Sequence, residues 1–153
     1  MGITTTLVSA HYDPSRLTSD VVVLPVAHLQ KDLTIYHSSA PSLLKHLQRS
    51  GITSDYIDEP ESLYEQRSND WFGPSLMILH SVYTSNPEIF KLLLEALTGH
   101  LKNLYPSDPT PNLRVQIRLH KDDNSQTTDV QFEGDPTHFP ALLKTLEKTW
   151  KEK

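Results

Sequence analysis

The chain has 153 residues, 37% of them hydrophobic and 22% charged, which fits one globular domain and excludes a fibrous, membrane-spanning or wholly disordered chain. Fourteen basic against 19 acidic side chains give a net charge of -5, which argues against affinity won by neutralising nucleic-acid phosphates or anionic lipid. With no cysteine, disulfides, zinc ribbons, iron–sulfur ligation and thiol chemistry are excluded, in agreement with a reducing, cytoplasmic setting, and the first residues lack the basic start and apolar stretch of a signal peptide.

In chain order, Ile3 to Val8 (ITTTLV) has the β-branched composition of a strand, and the polar HYDPSRLTSD follows it, so residues 1–20 read as an edge strand or a loose arm. Val21 to Val26 (VVVLPV) is a continuous apolar run suited to a strand buried on both faces, with Pro25 at its end or beside a free edge. A β-α-β unit comes next: Leu33 to Tyr36 extended, a helix from about Pro41 to Arg49, then Ile52 to Ile57 extended. Leu43, Leu44 and Leu47 give that helix an apolar stripe, and Gly51 stands where a left-handed C-terminal cap is needed. Asp58 to Asp70 is acidic and polar and reads as a surface connection with room for a short helical turn.

From Pro74, the residues Leu76, Met77, Leu79 and Val82 predict a helix that Thr84-Ser-Asn-Pro87 interrupts, with Asn86 as the N-cap of a new one. Phe90, Leu93, Leu94, Leu97, Leu101 and Leu104 recur at helical spacing, widened by Ile89, Leu92 and Ala96, and predict the main core helix. Lys91, Glu95, His100 and Lys102 break it up well short of the ~20 apolar residues that a membrane span requires.

Leu113, Val115, Ile117 and Leu119 alternate with Arg114, Gln116 and Arg118, and Thr128, Val130 and Phe132 alternate with Asp129, Gln131 and Glu133. That is an antiparallel hairpin about the polar turn His120 to Gln126, with Arg114 and Arg118 facing the acidic positions of the returning strand. Gly134-Asp135-Pro136 opens a last helix whose inner face is Phe139, Leu142, Leu143, Leu146 and Trp150. The fold class is therefore α/β (α+β): a single domain over residues 1–153, a mixed β-sheet with helices packed on it, and a C-terminal β-hairpin followed by a helix.

The chemistry-bearing residues are scattered. None of the eight histidines sits in His-Glu-x-x-His or in a carboxylate cluster with metal-ligand spacing; His11 and Asp13 share a loop, while His80 and His100 fall in helices. Ser42-Leu-Leu-Lys45 matches Ser-x-x-Lys, but with 15 serines and 9 lysines about one such pair arises by chance, and the partner motifs are missing. Asp122-Asp-Asn124 lacks the glycine and distal glutamate of a calcium loop and suits a hairpin turn. Five separated glycines build no phosphate-cradling loop. Trp71-Phe72-Gly73-Pro74 is the one concentrated aromatic segment. It reads either as a hydrophobic staple before a helix or as a partner-binding anchor at Trp71 and Phe72.

The block Arg67-Ser-Asn-Asp-Trp-Phe-Gly-Pro-Ser-Leu-Met-Ile-Leu, the Leu-rich helix ending in His100-Leu-Lys-Asn-Leu, then LRVQIRL, TTDVQFEGD and FPALLKTLEKTW carry a resemblance. Their order resembles the small effector-associated constant component proteins of bacteria, over roughly residues 66–150. It departs from them at the Asn86-Pro87 break, and the first 30 residues match nothing in that pattern. The resemblance implies a non-catalytic accessory or adaptor protein of a bacterial conflict (anti-phage defence) system, acting by protein–protein contact beside an effector such as a peptidase or signalling NTPase. No catalytic residue, metal or cofactor, and no nucleic-acid or membrane partner, is expected on this reading. Two rivals stand beside it: a small metal-dependent hydrolase or nuclease using His11, Asp13 and a distant carboxylate, and an acidic inhibitor or antitoxin mimicking nucleic-acid charge.

Overall fold

The structure, a computed structural model, describes residues 2–8, 19–24, 35–37, 40–57, 62–64, 71–104, 106–107, 112–121 and 126–151. Their elements are β1 (Gly2–Val8), β2 (Val21–Leu24), β3 (Ile35–His37), α1 (Ala40–Arg49), β4 (Ser54–Tyr56) and β5 (Ser62–Tyr64), followed by β6 (Trp71–Leu79), α2 (His80–Ser85), α3 (Ile89–Leu104), β7 (Leu113–Lys121), β8 (Gln126–Gly134) and α4 (Phe139–Lys151). Six strands form one mixed sheet in the order β1-β8-β7-β6-β2-β4, and β3 and β5 pair in parallel as a separate ribbon. The α/β class with a C-terminal hairpin and helix is the observed architecture.

Strand pattern and helix stripe meet on one face of the sheet. Val21 and Val23 of β2, Leu76 and Ile78 of β6, Leu113, Val115, Ile117 and Leu119 of β7, and Val130 and Phe132 of β8 are buried there. Leu43 and Leu47 of α1, Phe90, Leu93 and Leu97 of α3, and Leu142 and Leu146 of α4 cover them and are fully buried. Each such side chain contributes about 1.5–3 kcal/mol by leaving water. The other face has its own apolar group, Val22, Leu24, Ile57 and Met77. So β2, buried at all four positions, is the doubly covered strand that its VVVL run implies.

The β-α-β unit is present with a different first strand. The strand running parallel beside β4 is β2, pairing Val22 with Asp55, whereas Ile35–His37 turns aside to pair with β5. Short β5 also stands where a connection with a helical turn is expected. The segment from Pro74 is a correction of larger size. It is strand rather than helix through Leu79, and only His80–Ser85 is helical. Leu76, Met77 and Ile78 are buried in succession, which needs cover on both sides of a central strand; a helix would turn one of the three outward.

Asn86 ends α2, its N–H bonded to the Val82 carbonyl at 2.8 Å, and its own carbonyl accepts from Ile89 N at 3.0 Å as α3 begins. Along α3, Ile89, Phe90, Leu93, Leu94, Ala96, Leu97 and Leu101 of the expected stripe are buried, while Leu92 is 39% exposed. At the other break, the N–H of Ile52 bonds the Leu47 carbonyl and that of Gly51 bonds the Gln48 carbonyl, both at 3.1 Å, while Gly51 adopts φ +86°. These two bonds close α1 as a Schellman cap. Asp135 caps the last helical region: its carboxylate accepts from Thr137 N at 2.8 Å and from the Thr137 hydroxyl, and a short 3₁₀ turn at Pro136–His138 leads into α4. Those hydrogen bonds favour the charged form and hold the Asp135 carboxyl below the usual carboxylate range. No helix of the described residues is long and apolar enough to cross a membrane.

Candidate functional site

Trp71 and Phe72 are the first two residues of β6, paired with Leu113 and Arg114 at the start of β7. The pairing shifts between Phe72 and Ser75, so Gly73 and Pro74 form an irregularity in an otherwise continuous central strand pair. Proline cannot donate to a ladder, and a bulge at this point accommodates it while separating the aromatic pair from the regular sheet below. The staple reading required a helix after Pro74; the strand removes that role. Gly134 and the Asp135 cap lie at the same end, since Leu113 pairs with Gly134.

The hairpin carries a polar ladder on the face away from the helices. Register places Arg114 opposite Glu133, Gln116 opposite Gln131, Arg118 opposite Asp129 and His120 opposite Thr127. At its outer end Arg114 Nη2 lies 3.1 Å from Glu133 Oε1, with both side chains about half exposed, a pair worth little in water. Moving inward, Asp129 Oδ2 accepts from Gln116 Nε2 at 2.8 Å and from Gln131 Nε2 at 3.0 Å, and the Ser75 hydroxyl donates to Gln116 Oε1 at 2.6 Å. At the innermost rung His120 Nδ1 and Thr127 Oγ1 share a hydrogen bond of 2.8 Å.

The two arginines thus face the acidic positions that the alternation assigns them, but the inner rungs are not a solvated surface. Asp129 is 3% exposed, His120 2% and Thr127 1%. Arg118 Nε stands 3.9 Å from Asp129 Oδ1, and both atoms are buried without a hydrogen bond. The charges attract without a direct bond, and burying them is compensated by the amide donors on Oδ2. Chemically this arrangement fixes strand register: the carboxylate is occupied by two amides, and its surroundings are closed. Sequence alternation finds the pairing but not the burial. The signal that could have found it is the apolar VVVL and LMI runs of β2 and β6, which require cover on the same face.

A second titratable group lies between α1 and α3. His46 and His100 have ring centroids 5.5 Å apart and inclined at 51°, and a Cβ at Gly99 would approach His46 Nε2 to 3.1 Å. His100 is buried, and burial followed by the nearby His46 lowers its pKa to about 4. This keeps it neutral and makes it a packed residue rather than a general base for neutral pH.

Of the remaining candidates, Ser42 and Lys45 are both on the exposed side of α1. His80 begins α2. His11, Asp13 and the Asp122-Asp-Asn124 turn lie outside the described residues. Among the described residues no group of three or more His, Asp or Glu side chains is placed to hold a metal ion. The chain matches no family model, no curated protein and no solved structure.

Proposed function

We propose that this protein is a non-catalytic accessory protein that recruits an effector enzyme, a peptidase or signalling NTPase, in a bacterial conflict system. The reading takes its biological setting from the resemblance to effector-associated constant components. The observation that supports a contact surface is the position of Trp71-Phe72: an aromatic pair at the start of a central strand, set off from the regular ladder by the Gly73-Pro74 bulge. Bulges re-aim side chains at sheet ends, and Trp is enriched among the residues that dominate interface energetics. The buried ladder and the buried His100 serve the fold.

The test is affinity capture of the tagged chain from native lysate, read by mass spectrometry, beside a Trp71→Ala/Phe72→Ala variant. A peptidase or NTPase recovered with the wild type and lost with a folded variant is the expected result. Capture of the same effector by both forms refutes the assigned surface, and co-purification of a divalent metal with no effector favours the hydrolase reading.

A further inference from the structure

The two edges of the main sheet differ in a way that bears on self-association. The β4 edge is three residues long and carries the exposed Asp55, both features that discourage another strand from pairing with it. The β1 edge is seven residues long, GITTTLV, with no charge and no proline. Among the described residues it pairs with β8, through a continuous register from Gly2 opposite Glu133 to Val8 opposite Thr127, and its other side pairs with no described strand. Gly2, Thr4, Thr5, Thr6 and Leu7 are exposed, Leu7 at 65%. A long, uncharged edge of this kind presents a row of backbone N–H and C=O groups that another extended strand can pair as a set.

We infer that the strand which completes this edge is β1 of a second copy of the chain, paired antiparallel about a two-fold axis through Thr5. Self-complementarity singles out that occupant. In this register Ile3 of one copy faces Leu7 of the other. Ile3, Thr5 and Leu7 share the helix-covered face, because they oppose Phe132, Val130 and Thr128. Ile3 is already partly packed on the core, so the pairing lays the exposed Leu7 of each copy against the apolar margin of its partner. On the opposite face Thr4 meets Thr6, a favourable cross-strand pair. Every residue faces one of the same parity, so outward-pointing backbone groups meet outward-pointing groups and the ladder closes whichever alternate set points out.

Charge favours the same site. Two copies each bring a net charge of -5, so a stable self-contact has to form where no like charges meet, and β1 has none. The product is a continuous twelve-stranded sheet, twice the six strands of one copy. Its contact is small, below the ~1,200 Å² of a standard interface, the size class of weak, concentration-dependent association. The inference stands apart from the effector surface at Trp71-Phe72, which lies on a different strand.

Sedimentation velocity over about 1–500 μM tests it. The wild type is expected to move from 17.4 kDa toward twice that mass. Thr5→Lys places two ammonium groups opposite each other on the axis and is expected to remain monomeric with unchanged melting. Thr4→Lys with Thr6→Glu in one chain creates two opposite-charge pairs across the axis and is expected to keep the dimer. Because the chain has no cysteine, Thr5→Cys supplies a reading that does not depend on the stability of the lysine variant. Mild oxidation should give a disulfide-linked dimer, while Lys102→Cys, on the exposed side of α3, should not. A wild type that stays at 17.4 kDa throughout, or a Thr5→Lys variant that dimerises equally, overturns the inference.

Discussion

Gly51 and Asp129 show how much a single position carries. The α1 cap needs φ +86° at Gly51, where an added Cβ would meet nothing within 4 Å, so the cost of substitution is conformational and not steric. Gly51→Ala should lower stability by about 1–2 kcal/mol and Gly51→Asn by less, as measured by urea unfolding. Asp129 is held from two sides. Asp129→Leu leaves the Gln116 and Gln131 amides without their acceptor and the Arg118 charge without its neighbouring carboxylate, and should cost about 3 kcal/mol. Adding Arg118→Leu should recover part of that loss. If the double variant is less stable than Asp129→Leu alone, the buried charge is not the source of the cost.

Among the elements, the α1–α3 contact is pH-sensitive through His100. The proton affinity of folded His100 is depressed to about 4, against 6.5 in the unfolded chain. As pH falls, the unfolded chain takes the proton first, so this contribution is complete above about 6.5 and is lost as pH drops toward about 4. The loss is of order 1–3 kcal/mol. Urea midpoints at pH 7, 5.5 and 4.5 should fall in that order for the wild type, and His100→Leu should flatten the trend.

Which elements were legible follows from their burial. The hairpin β7–β8 has one apolar and one polar row, and α1, α3 and α4 carry one-sided stripes, so period alone locates them. Strand β6 is buried at Leu76, Met77 and Ile78 in succession, shows no alternation there, and passes for a helix. The partner of β4 is a long-range fact that local patterning does not contain, which is why β3 was the expected neighbour and β2 is the actual one. The buried ladder was hidden for the same reason: Asp129 and His120 have the residue types of a solvated row, and only cover from elsewhere makes them interior.

At the scale of the whole molecule, one sheet face is committed to helices and the hairpin ladder locks the strands in register; the proposed contacts with other proteins fall on the strand start at Trp71-Phe72 and on the β1 edge. The most direct measurement is calorimetric titration of the purified effector recovered by capture with wild-type chain and with Trp71→Ala/Phe72→Ala. The account predicts saturable binding that weakens at least about tenfold in the variant, a loss of ~1.4 kcal/mol or more, while its melting temperature is unchanged. Equal affinity in both forms, or a variant that has lost several kcal/mol of stability because the pair belongs to the core, would contradict it.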